Sequence, residues 1–229
     1  MAIIKLTPEL FRELDILARR EGGKPLKVVD WRKMEGAFAQ QSVWAAPLYV
    51  DINKPHLRTE KGVIEIANQI DTDKFYSTKR PELDWRAIPK EQIYRFLVLH
   101  EIGHIKCGIN LVDLFEFFPL LGYEFIRTEE GLWMEWPPRK VRLRAIRKRN
   151  MAIMASELLA DRYAWTHLFP DKDLPIRKGT KTLRKRIEAF IRRHSRFFPS
   201  EPRKPNPLPI DPTKFVPREH VEQGIPWAV

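Results

Sequence analysis

The chain has little of what would fix it by covalent bonds or hold it in a bilayer. Its single cysteine, Cys107, allows no internal disulfide, so a reducing, cytoplasmic setting is expected. It has no run of about 18 apolar residues, the least that spans a membrane as a helix, so no membrane partner is expected. The opening stretch MAIIKLTPELFREL lacks the basic, apolar and small-residue regions of a signal peptide. No repeat of about 20–50 residues is visible, which argues against a solenoid. Acidic residues are the scarcer charge, 30 against 41 basic ones. The net charge of +11 favours encounter with anions, whether nucleic acid, acidic protein or lipid head groups, without selecting among them.

What is present is enough for a core, since 43% of the residues are hydrophobic. Thr7-Pro8-Glu9 reads as a helix start, and the helix is expected to stop at Gly22-Gly23. LKVVDW and SVWAAPLYVDI read as short strands. KGVIEIANQID alternates, with Ile64, Ile66, Asn68 and Ile70 on one side, which predicts a strand with one apolar face, at a sheet edge. DTDKFYSTKRPELDW reads as a loop. Pro89 opens a helix that runs to Cys107 and stops at Gly108. An aromatic insert over 111–140 predicts a short helix and a hairpin around TEEG. A long helix is expected from Val141 to Leu168, and a basic helix over KTLRKRIEAFIRRHSRF.

The expected fold class is α+β, a small mixed or antiparallel sheet packed on two functional helices. Residues 1–60 add a helix and strands, 61–170 form the core, and 171–197 carry the basic helix. Prolines at 199, 202, 205, 207, 209, 212, 217 and 226 make 198–229 an extended arm.

The chemistry centres on YRFLVLHEIGHIKCG. Residues four apart on a helix differ by about 40° in azimuth, so His100 and His104 present neighbouring imidazoles. That spacing suits an ion of tetrahedral preference such as Zn²⁺, with Zn–N bonds of about 2.0–2.1 Å. Glu101 lies about 100° around from His100, off the ligand line, where it can take a proton from a metal-bound water. Gly103 costs roughly 1 kcal/mol in a helix interior, and close backbone packing would account for it. A catalytic zinc needs a third protein ligand, and MASELLADRYAWTHLFP offers Glu157. Asp161, one turn on, can accept the free ring N–H of a histidine ligand.

These two helices resemble the gluzincin class of zinc metallopeptidases, more narrowly the ImmA/IrrE-type domains and the single-domain minigluzincins. The resemblance rests on GVIEIANQ, YRFLVLHEIGH and ELLADRYAWTHLFP and covers about Gly62 to Pro170. It implies a zincin-like fold, zinc held by His100, His104 and Glu157, Glu101 as general base, and Asp161 behind a ligand. It also implies a peptide or protein substrate, extended along the strand before the metal-site helix. The 53 residues from His104 to Glu157 exceed the usual gap of the family. Its oxyanion-stabilising residue has no clear counterpart, so Tyr163, His167 and His194 are candidates by residue type alone. Trp133 and Trp136 of the insert are candidates for lining the cleft.

Cys107 reads as a small buried hydrophobe in preference to a ligand. The seven basic residues from Arg139 to Arg149, with RKGTKTLRKR, read equally as a solvated face or as a surface for nucleic acid or an acidic partner. The alternative function is therefore a metal-bearing regulatory or DNA-binding protein without turnover, although no helix-turn-helix is evident. The arm reads as surface packing or disorder, or as a pseudo-substrate that holds the enzyme latent.

Overall fold

The computed structural model describes residues 2–34, 37–42, 63–108, 124–128, 131–135, 139–199 and 202. Strand β1 (Ile3–Lys5) leads into helix α1 (Pro8–Leu17). Thr7 caps α1, its hydroxyl oxygen accepting from the Leu10 amide at 3.2 Å, and Pro8 occupies the first turn, where no amide hydrogen is needed. One π-helical turn (Ala18–Gly22) follows and stops at Gly23, whose φ of 64° is left-handed backbone suited to glycine. Asp15, buried, ties this end to the next strand by accepting from the Leu26 amide at 2.7 Å.

Strand β2 (Leu26–Val29) runs parallel to β4 (Val63–Ala67), while β3 (Ala39–Ser42) pairs antiparallel with the other edge of β4. The result is a mixed sheet in the order β2-β4-β3. Strand β5 (Gln69–Asp71) follows Asn68 and pairs with β1. The alternation has the expected consequence: Ile64, Ile66 and Ile70 are buried. The expected edge position is corrected, because β4 is the central strand with a neighbour on each side. It therefore has no open edge for a substrate strand. The strand expected over SVWAAPLYVDI lies, from Val43 on, outside the described residues.

A second correction concerns DTDKFYSTKRPELDW. Its first part is helix α2 (Thr72–Ser77), capped by Asp71, whose Oδ1 accepts from the amides of Asp73 and Lys74. The remainder is pinned at several points. The Asp84 amide donates to the Pro175 carbonyl and the Arg177 amide to the Glu82 carbonyl, each at 2.8 Å, while Tyr76 Oη of α2 donates to the Ile88 carbonyl at 3.0 Å.

Helix α3 (Ile93–Cys107) follows Pro89 and a short 3-10 turn, and ends at Gly108. It is buried on nearly every side, through Phe96, Leu97, Val98, Leu99 and Ile102 among others, as befits the central helix of a core. Strands β6 (Glu124–Thr128) and β7 (Gly131–Glu135) form the hairpin expected around TEEG. The short helix expected before it, and Trp136, lie outside the described residues. Helix α4 (Arg139–Leu168) crosses α3, and α5 (Lys181–Arg193) packs on α4. The chain is mixed α+β.

The main core joins Leu6, Phe11 and Leu14 of the N-terminal part to the strand isoleucines, α3 and Trp165. A smaller core lies between α4 and α5. Among the described residues, no helix is long and apolar enough to cross a membrane. Most of the proline-rich arm lies outside them, but Phe198 at its start is buried in the smaller core beside Phe197.

Candidate metal centre

Gly103 brings the two key helices together. A Cβ built there would lie 2.8 Å from Ala160 Cα and 3.0 Å from the Ala160 carbonyl oxygen. Only a hydrogen fits, so α3 and α4 meet backbone to backbone. The close packing expected at this glycine is what is found.

Beside this crossing, side chains distant in sequence converge. His100 Nε2 and His104 Nε2 lie 3.0 Å apart. Glu157 sends Oε2 to 3.4 Å from His100 Nε2 and Oε1 to 3.5 Å from His104 Nε2. Donor atoms bound tetrahedrally at about 2.0–2.1 Å from one ion would stand roughly 3.3–3.4 Å apart. The observed separations bracket that span. The donor set of two imidazoles and one carboxylate is also one that zinc takes, so the residues fit the metal. Glu101 is nearby, since a ligand atom from each of His100, Glu101 and His104 lies within 4.8 Å of the others.

The far nitrogen of each ring faces a different group. His104 Nδ1 lies 2.8 Å from Ser156 Oγ. With the proton on Nδ1, that nitrogen donates to the serine and leaves the Nε2 lone pair facing the cluster. His100 Nδ1 lies 3.0 Å from Asp161 Oδ1, off the axis of a hydrogen bond but within ion-pair distance. Asp161 is fully buried.

The sequence reading missed Arg80. Its Nε donates to Asp161 Oδ2 at 3.0 Å and its Nη2 to Asp161 Oδ1 at 3.2 Å. The same Nη2 donates to Glu157 Oε2 and lies 3.4 Å from His100 Nε2. Trp85, also missed, lies under the guanidinium with its ring centre 4.6 Å from Cζ, and its indole N–H donates to Asp161 Oδ1 at 3.3 Å.

Crowded charges set the protonation of the site. Burial pushes the His100 imidazole down, but the Asp161 and Glu157 carboxylates outweigh it and lift the group to about 9. His104 is pushed down to about 3, by burial and then by His100. Burial works to raise the Glu157 carboxyl, yet His100, Arg80 and His104 hold it far below the usual carboxylate range. His104 thus offers its lone pair freely at neutral pH, whereas a metal must displace a proton from His100. On the Glu101 side, burial lowers the Lys24 ammonium and the Glu101 carboxylate acts against that shift.

The three candidates for oxyanion stabilisation are not brought to the cluster. Tyr163 is two residues past Asp161, about 200° around the helix. Its ring stacks on His167 at 3.9 Å, and His167 Nδ1–H donates to the Tyr163 carbonyl at 2.8 Å. Both line a separate cavity of about 220 Å³ with Cys107, Arg162 and Pro199. His194 packs against Phe190 at the end of α5. Cys107 is buried in the main core, as a small hydrophobe would be. Ser156 carried no motif beyond its place before Glu157, and Arg80 none at all.

Comparison of the chain with family models, with curated proteins and with solved structures returns no match, so the residues of the centre themselves carry the functional reading.

Proposed function

We propose that the chain is a zinc-dependent metalloendopeptidase of zincin-like fold, of the gluzincin kind its motifs resemble. One observation carries this reading: Glu157, from a helix distant in sequence, meets His100 and His104 at separations suited to a single small divalent ion. His100, His104 and Glu157 are the ligands, with Asp161 and Ser156 behind the two rings. The bound metal would supply a Lewis acid and lower the pKa of water.

Glu101, buried at the same centre and one residue off the ligand line, is the general base. Its carboxylate accepts a proton from the attacking water and passes it to the amine nitrogen as the peptide C–N bond breaks. Water and one amide thereby become one carboxylic acid and one amine. The substrate is an extended peptide or protein segment. Among the described strands, β3 keeps an edge without a partner and packs beside α3, which makes it the strand to receive such a segment.

The test is elemental analysis of protein purified without chelators, paired with cleavage of an unstructured protein such as casein. One zinc per chain is expected, with cleavage that chelation removes and added zinc restores. Protein that neither retains zinc nor cleaves when zinc is supplied would rule the reading out.

A second reading has one observation in its favour. Arg147 and Arg149 of α4 and Lys185, Arg186, Arg192 and Arg193 of α5 are exposed. A metal-bearing, DNA-binding regulator without turnover would use them. Salt-dependent binding to duplex DNA by protein that cleaves nothing would favour it.

A further inference from the structure

Two carboxylates stand one helical turn apart on α4, and both face inward. Like charges at that spacing repel each other, and a low-dielectric surrounding strengthens the repulsion. Glu157 must keep its oxygens turned toward the imidazoles to ligate a cation, and Asp161 must stay beside His100 Nδ1, 3.0 Å from Oδ1. A positive group that bonds both carboxylates at once would hold the pair in place.

Arg80 provides it from outside the motif. Nε and Nη2 form a fork on the two oxygens of Asp161, and the same Nη2 reaches Oε2 of Glu157. One planar group therefore bridges the ligand carboxylate and the outer carboxylate. A lysine, with a single point of charge, could not span both in this geometry.

The guanidinium is held as firmly as the groups it holds. Its side chain is 12% exposed. It lies over Trp85, which is buried, stacked on Phe75 at 4.6 Å between ring centres and set edge-on to Phe96 at 5.4 Å. The surrounding segment is bound to the stretch that follows α4. The Arg177 amide donates to the Glu82 carbonyl at 2.8 Å, and Leu83 bridges Ile176. A surface arginine making a chance contact would have none of this support.

We propose that Arg80 is a positioning residue of the metal centre, a guanidinium clamp that holds Glu157 and Asp161 in register for His100 and His104. The proposal rests on the reading that this centre binds a divalent metal. Arg80 acts through the two carboxylates and is given no contact with substrate.

The experiment uses Co²⁺ alone as the probe, added to full-length protein stripped with chelator. Visible absorption reports the coordination geometry, competition with Zn²⁺ gives relative affinity, and circular dichroism confirms folding. Wild type should bind one Co²⁺ with the intense bands of a tetrahedral site. Arg80→Met should bind about 10- to 100-fold more weakly, the usual cost of removing an outer partner, with altered bands. Arg80→Lys should recover little of this, because charge without the fork does not bridge. Trp85→Phe keeps the ring and removes one donor to Asp161, so it should shift the bands the same way by less.

If Arg80→Met fails to fold, Arg80→Lys and Trp85→Phe decide the matter. Unchanged affinity and bands in the folded variants would overturn the clamp. So would tighter binding, which would make Arg80 a competitor for the ligands. Wild-type protein that takes up no Co²⁺ would show instead that the metal reading has failed, and the clamp would fall with it.

Discussion

Helix α4 packs on two neighbours, and the two contacts are built on opposite principles. Against α5 it sets Ala152, Ala155 and Leu158 on Ile187, Phe197 and Phe198, an apolar seam. Its ionic contacts lie beside that seam: Arg162 Nη2 bonds Glu188 Oε1 at 2.7 Å, and Arg162 also reaches the buried Glu82, which Arg184 of α5 approaches at 3.6 Å. Against α3 it gathers two imidazoles, three carboxylates and a guanidinium, each within a few ångströms of a neighbour in the cluster. Burying charge is costly, and a well-packed apolar replacement is often as stable or more so. The α5 contact shows that this helix can make such a packing. The charged seam is therefore better explained by chemistry than by stability.

The comparison can be broken in four places. The largest effect is expected from Glu101→Gln, which should retain metal by elemental analysis and lose about 10²- to 10⁴-fold in peptide turnover. Turnover near wild type would remove Glu101 as the base. Next comes Ile187→Ala in the apolar seam. It should cost about 2–5 kcal/mol in denaturant unfolding and leave zinc affinity unaltered. A parallel loss of zinc would mean that the two seams are not independent.

Gly103→Ala should cost about 1–3 kcal/mol, since the added methyl meets the Ala160 backbone, and here zinc affinity should fall as well. A stable variant with normal zinc binding would contradict the close crossing. The smallest effect belongs to Ser156→Ala. Loss of the oxygen beside His104 Nδ1 should weaken zinc binding about tenfold with little change in melting temperature. Zinc competition assays that show no change would make Ser156 a bystander.

Much of the charged seam was legible because its signals are local. The four-residue spacings of His100 with His104 and of Glu157 with Asp161 are helix-face statements. Gly103 inside a helical pattern advertised a tight approach. Glycine punctuation located the end of α3, whose α-helical start at Ile93 lies four residues past the expected Pro89, and α4 begins two residues before the expected Val141. What escaped was non-local or faint. Arg80 meets its partners across 77 and 81 residues of sequence, and no periodicity reports that. Helix α2 spans six residues, too short for an apolar stripe, although Asp71 ahead of Asp73 and Lys74 was a capping signal available to be read. Alternation in β4 showed one buried face, but a two-residue period is the same at the edge of a sheet and in its middle. Hence the central position of β4 could not be read from it.

The contact of Gly103 with Ala160 has a bearing on selectivity among cations. Main chain, and not rotatable side chain, sets how far α3 stands from α4 at that point. The distance between the two helix backbones beside His100, His104 and Glu157 is therefore sized at folding. On the proposed metal reading, that spacing favours a small ion over a broad one that seeks six or more oxygens, such as Ca²⁺.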